Sequence, residues 1–175
     1  MRMALYQPDI PQNAGAIMRT AACLGVPVDV IGPCGFVLSD RRLRRAGMDY
    51  LDRLQMAEHD SWAGFLAARE TMGRPNGAAG ESNGAADGQC RLVLLTTAGE
   101  TAHLDFRFRP ADVLVVGRES AGVPAAVAAA CDARVRVPIQ PGARSLNVAQ
   151  ALAIVLGEAL RQTDGFPGGF AEPAP

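Results

Sequence analysis

Short runs of Val, Leu and Ile recur along the chain, separated by longer stretches in which apolar residues return every three or four positions. The runs RMALYQP (2–8), VPVDVIGP (26–33), CRLVLLTT (90–97), DVLVVG (112–117) and ARVRVPI (133–139) read as strands. Near-continuous apolar character is the mark of strands covered on both faces, as in a parallel sheet. Helical spacing falls at about 13–24, 39–47, 60–72, 123–130 and 145–162. The alternation predicts an α/β fold, a parallel sheet with helices on both faces.

Two helices carry further information. The first is expected to be capped by Asn13 and to end at Gly25. Ala14, Ile17, Met18, Ala21 and Leu24 form its buried stripe, and Arg19 points away from that stripe, so packing does not account for it. The last and longest helix follows a Pro/Gly loop, with Ser145 as the expected N-cap and Asn147 in the first turn. Its polar stripe is only Asn147, Gln150, Glu158, Arg161 and Gln162, broken by Ile154. The apolar remainder exceeds one buried face. A second copy of the chain, or a fully buried position, would each explain it.

Composition narrows the class. The 175 residues suit one domain, expected over 1–162. The segment GRPNGAAGESNGAADGQ (73–89) reads as a flexible insertion and 163–175 as a disordered tail. A net charge of −1 demands no polyanionic partner globally. Locally, however, Arg41, Arg42, Arg44 and Arg45 fall close together after Ser39 and Asp40, either a solvated helix face or a set of phosphate contacts. No run is long and apolar enough for a membrane span, and the start lacks a signal-peptide core. Four scattered cysteines and two histidines make a metal site improbable and fit a reduced, cytoplasmic protein.

The loop GRESAGVP after the fourth strand excludes three common uses. Val123 and Pro124 stand where a P-loop needs Lys and Ser/Thr. Arg118, Glu119 and Ser120 do not supply the second glycine of a GxGxxG fingerprint, which weakens a nicotinamide-dependent oxidoreductase reading. Ser120 is one place too late for a GxSxG nucleophile elbow.

NAGAIMR, GRESAGVP and PIQPGARSLNVAQALAIVLGE resemble the three motifs of the SPOUT-superfamily RNA 2′-O-methyltransferases. Within that family, LYQPDIPQNAGAIMR and FVLSDRRLRRAGMDY are similar to the small, single-domain members acting on the tRNA wobble nucleotide, position 34. The resemblance runs from Ala4 to about Gln162, around the 73–89 insertion. It implies a C-terminal trefoil knot, a homodimer and S-adenosyl-L-methionine as cofactor. The cofactor would lie among Leu95 and Thr96, then Gly117, Glu119 and Gly122, then Val137, Ser145 and Leu146. It implies Arg19 as catalytic residue, with Ser145 and Asn147 orienting the methyl donor or the ribose. Arg41, Arg42, Arg44 and Arg45 would contact the anticodon stem-loop of tRNA. Three positions depart from the family pattern: Ala16 for a second Asn, Arg118 for a frequent proline, and Gly157 for a tyrosine.

The implied reaction is attack of a ribose 2′-OH on a sulfonium methyl, with no metal required. A guanidinium serving as general base would first have to lose its proton, about 7.5 kcal/mol uphill at pH 7. Holding a phosphate and stabilising a developing alkoxide is the more economical role for an arginine there. Methylation of another tRNA position or of rRNA, and an RNA-binding relative without turnover, remain open alternatives.

Overall fold

A computed structural model of the protein describes residues 1–38, 54–72 and 90–168. The elements are β1 (Arg2–Tyr6), α1 (Pro11–Leu24), β2 (Val28–Ile31), β3 (Met56–His59), α2 (Trp62–Met72), β4 (Leu92–Leu95), β5 (Thr101–Ala102), β6 (Val113–Val116), α3 (Ala125–Ala129), β7 (Ala133–Arg136) and α4 (Val148–Gln162). The strands form one sheet in the order β3-β2-β1-β6-β4-β7-β5, and its neighbours pair in parallel.

Alternate residues of the central strands feed two cores, as the two-residue period of a strand requires. Met3, Val28, Leu114 and Val93 lie in register and are buried with Ile17 and Met18 of α1 and Leu152, Val155 and Leu156 of α4. Ala4, Val115 and Leu94 line the opposite face with Phe65 of α2 and Val127 of α3. Each large side chain so buried contributes about 1.5–3 kcal/mol.

The expected strands are all present, each slightly shorter than its apolar run. β3 and β5 were not expected. β3 is an edge strand reading MAEH, and β5 is two residues long. Edge strands carry polar residues and need no continuous apolar run. Two caps also differ from expectation. α1 begins at Pro11, with Ile10 at its N-cap and no side-chain cap bond. Proline at the first helical position needs no amide partner, so Asn13 is freed from capping and sits inside the first turn. α4 begins at Val148, capped by Asn147 rather than Ser145. The Asn147 side chain accepts from the amides of Ala149 (2.9 Å) and Gln150 (3.4 Å). Gly25 does end α1, at φ 66°.

The helix expected at 39–47, with Arg41, Arg42, Arg44 and Arg45, lies outside the described residues, as do the 73–89 segment and residues 169–175. Thr163 and Gly165 bond back to α4 through their amides, to Ala159 and Leu160. Among the described residues no helix is long and apolar enough to cross a membrane.

Strand order decides where a ligand can sit. From β1 the chain moves through α1 to β2 on one side, and from β6 it moves past β4 to β7 on the other. Adjacent strands whose connections depart in opposite directions leave a crevice at their carboxyl ends. Here those strands are β1 and β6, and the loops that leave them are 7–10 and 117–124.

Candidate functional site

A cavity of about 510 Å³ opens at that crevice. Leu94, Val116 and Val135, buried residues at or next to the ends of β4, β6 and β7, form an apolar floor. Three strand ends and the loops that follow wall it: Leu95 at the end of β4 with Thr96 and Thr97, Gly117 to Val123 after β6, and Val137 to Asn147 after β7. Ile10 and Asn13 close the side nearest α1.

The β6 loop folds back on itself. Arg118 and Gly122 pair as an isolated antiparallel bridge, with amide-to-carbonyl distances of 3.0 and 2.8 Å. Gly122 adopts φ +66°, a conformation that side-chain-bearing residues rarely take. A Cβ on Gly117 would lie 2.5 Å from the Gly122 carbonyl carbon, so this turn accepts only glycine there without moving.

Polar side chains join the walls. Asn147 caps α4 with its carbonyl oxygen and donates its amide to Asn13 Oδ1 at 2.9 Å. Asn13 in turn hydrogen-bonds the Glu119 carboxyl. The Glu119 amide donates to Asp9 Oδ1 at 3.0 Å, and the Asp9 amide donates to Glu119 Oε2 at 3.4 Å. One chain of contacts thus joins the β1 loop, the β6 loop, α1 and the start of α4.

The two acids in that chain divide one proton. The hydrogen bond from the Glu119 carboxyl, with those from Ser120, holds Asp9 down at about 2. Burial, reinforced by Asp9, pushes Glu119 up. Asp9 is the ionised partner and Glu119 the one that tends to keep the proton.

The cavity brings together Leu95, Thr96, Gly117, Glu119, Gly122, Val137, Ser145, Leu146 and Asn147, residues expected at the site from sequence. Arg19 is exposed on α1 and is not part of that lining. It lies six residues beyond Asn13, about 9 Å farther along the helix axis. Asp9, Gln7, Ile10 and Ile139 were not singled out from sequence. The signal for Asp9 was its place between Pro8 and Pro11 in QPDIPQ, a rigid stretch too short to be a helix or strand. Among the described residues no cluster of His, Cys, Asp or Glu could hold a metal ion.

Comparison with known proteins gives a consistent picture. The model of the SpoU rRNA methylase family matches residues 1–157. The chain is 53% identical, over 160 residues, to the tRNA (cytidine(34)-2'-O)-methyltransferase of Beijerinckia indica subsp. indica, covering 91% of this chain and 90% of that protein. A solved structure concerned with the 2-OH methylation of C/U34 on tRNA superimposes with a TM-score of 0.78 at 40% identity, over 92% of this chain and 94% of that one. The SpoU methyltransferase AviRb from Streptomyces viridochromogenes, solved with AdoMet, matches with a TM-score of 0.76 at 28% identity, over 93% of this chain and 60% of that one.

Proposed function

The chain belongs to the SpoU rRNA methylase family, and on that premise we propose that it methylates the ribose 2′-OH of nucleotide 34 in the tRNA anticodon loop. The acceptor is cytidine or a modified uridine, and the donor is S-adenosylmethionine. The observation that carries this reading is the convergence of three strand-end loops on one cavity at the β1/β6 crevice.

The residues present fit the cofactor. The volume lies in the range of small-molecule sites, about 300–1,000 Å³, with an apolar floor and a few polar groups at the rim. The missing Cβ of Gly117 lets the Gly122 carbonyl and the Val123 side chain pack against it, which keeps this wall of the cavity tightly turned. Leu95, Thr96, Gly117, Glu119, Gly122, Val137, Ser145 and Leu146 would hold it. When bound, the cofactor supplies an electrophilic methyl group.

The chain's own residues orient the acceptor and manage the charge that develops on it. Ser145 and Asn147 stand at the mouth of the cavity and position the donor or the ribose; Asn147 does this while capping α4. Arg19 holds the phosphate beside the ribose and stabilises the 2′-oxygen as its proton leaves, with that phosphate as acceptor. Arg41, Arg42, Arg44 and Arg45 contact anticodon-stem phosphates. Position 34 lies in a loop, where an unpaired nucleotide can be splayed out.

The assembly is a homodimer, in which one protomer's arginines serve its partner's cavity. Two features support this: Arg19 stands apart from the cavity of its own chain, and Ile10, Leu146 and Ile154 expose apolar surface, at 40%, 38% and 44%, around the cavity and α4. The trefoil knot belongs to the same reading, through the chain that threads from β6 to α4. A cytoplasmic location follows from the tRNA substrate and agrees with four free cysteines among the described residues.

The test is methyl transfer from labelled S-adenosylmethionine to total tRNA, with digestion to locate the modified nucleotide. Label at position 34 is the expected result. Label elsewhere in tRNA or in rRNA retains the chemistry and replaces the substrate. No label, with cofactor and tRNA both bound, makes the chain a non-catalytic relative.

A further inference from the structure

Asp9 does not line the cavity, yet it organises a loop that does. Its carboxylate accepts from the Glu119 amide at 3.0 Å, from the Ser120 amide at 3.3 Å and from the Ser120 hydroxyl. Its own amide returns a bond to the Glu119 carboxyl. The Arg118–Gly122 bridge closes the loop on itself but fixes nothing about how the loop stands over the cavity. Ties to the β1 loop act on that orientation, Asp9 on the backbone of 119 and 120 and Gln7 on the Arg118 guanidinium, beside the bond from Asn13 of α1 to the Glu119 carboxyl. These bonds on the Asp9 carboxylate come from two successive residues, 119 and 120, of this loop.

We propose that Asp9 is a positioning residue of the methyl-transfer site, orienting the 117–122 loop so that Gly117, Glu119 and Gly122 face the cavity. The inference rests on the functional reading above. It places the affinity for the methyl donor partly under the control of a residue that never touches it. Hydrogen bonds to a charged acceptor are each worth enough to change binding about tenfold or more when lost.

The test compares wild type with Asp9→Ala and Asp9→Asn in three measurements: KM for S-adenosylmethionine, kcat at saturating cofactor, and amide exchange at Glu119 and Ser120 in the cofactor-free protein. Asp9→Ala is expected to raise KM about tenfold or more, leave kcat within about threefold, and speed exchange at both amides. Asp9→Asn keeps one acceptor for the Glu119 amide and is expected to give an intermediate KM; it carries the test if Asp9→Ala fails to fold. An unchanged KM, or a fall in kcat at constant KM, overturns the proposal. If wild type binds no S-adenosylmethionine the functional reading falls, and the exchange rates still decide whether Asp9 holds the loop.

Discussion

At the amino ends of the strands, three aspartates face arginines. Asp29 takes a bidentate bond from Arg2 at 2.8 and 3.1 Å, and His59 Nε2 lies 2.9 Å from its Oδ1, the oxygen that Arg2 Nη2 also reaches. Asp112 takes one from Arg91 at 2.8 and 2.7 Å, and Asp132 meets Arg69 at 3.1 Å. Asp29 and Asp112 are 0% and 1% exposed, so each charge is matched before it is buried. At the carboxyl ends the arrangement differs. Asp9 binds backbone amides, Glu119 is half-buried with its carboxyl pushed up by burial, and Arg118 and Ser145 are exposed. The first end uses its polar groups to neutralise buried charge; the second uses them to hold the loops that wall the cavity. Opposite ends of one sheet are thereby assigned to stability and to binding, which is the division that parallel α/β sheets permit.

Substitutions can break that division. Arg19→Ala is expected to have the largest effect, lowering methyl transfer about 10²–10³-fold while cofactor affinity stays within about threefold. Single-turnover rates beside calorimetric binding check it; equal loss of both would remove Arg19 from catalysis. Asp112→Ala removes the buried carboxylate that pairs with Arg91 and should cost about 3 kcal/mol of stability in chemical denaturation, with kcat near wild type below the new midpoint. A loss of activity without a loss of stability there would erase the contrast between the two ends. Asn147→Ala sits on the boundary. Losing the cap costs about 1 kcal/mol, and losing the bond to Asn13 should also weaken cofactor binding. A stability change alone would make Asn147 structural only.

The smallest effect is in pH. Asp9, depressed to about 2, contributes stability that is complete above its ordinary 3.8 and is lost as pH falls toward 2. Glu119, raised, contributes stability that is present below its ordinary 4.5 and is lost as pH rises through its folded value. Amide chemical shifts of Glu119 and Ser120, followed upward from pH 2, should show two separate inflections. A single inflection near 4 would mean that the two acids do not share a proton. In Asp9→Asn the upper inflection should move down.

Much of the sheet was readable because β1, β2, β4 and β6 are buried on both faces and so spell themselves as apolar runs. β3 and β5 were not, since an edge strand has one free side and tolerates Glu58 and His59. Asp29 shows the same limit from inside a run: VPVDVIGP gives no hint that Arg2, twenty-seven residues earlier, neutralises its acid. Many of the residues that line the cavity stand in the motifs quoted from the sequence. Which residue caps α4 was not legible, because Ser145 and Asn147 are both good caps and the choice depends on Asn13, far away in sequence. The role of Asp9 was hidden for a related reason: QPDIPQ marks its position, but its partners include the backbone amides of residues 119 and 120, and a backbone amide leaves no mark in a sequence.

The bond from Asn147 to Asn13 spans 134 positions of the chain. At ribosomal rates of about 5–20 residues per second, roughly 7–27 s separate the emergence of its two ends. Throughout that interval the first strands and α1 exist without the third wall of the cavity. A nascent chain therefore has no complete place for a nucleoside, and capacity to bind one arrives only with α4. Ligand binding in this domain is in effect a report that translation has reached its last helix.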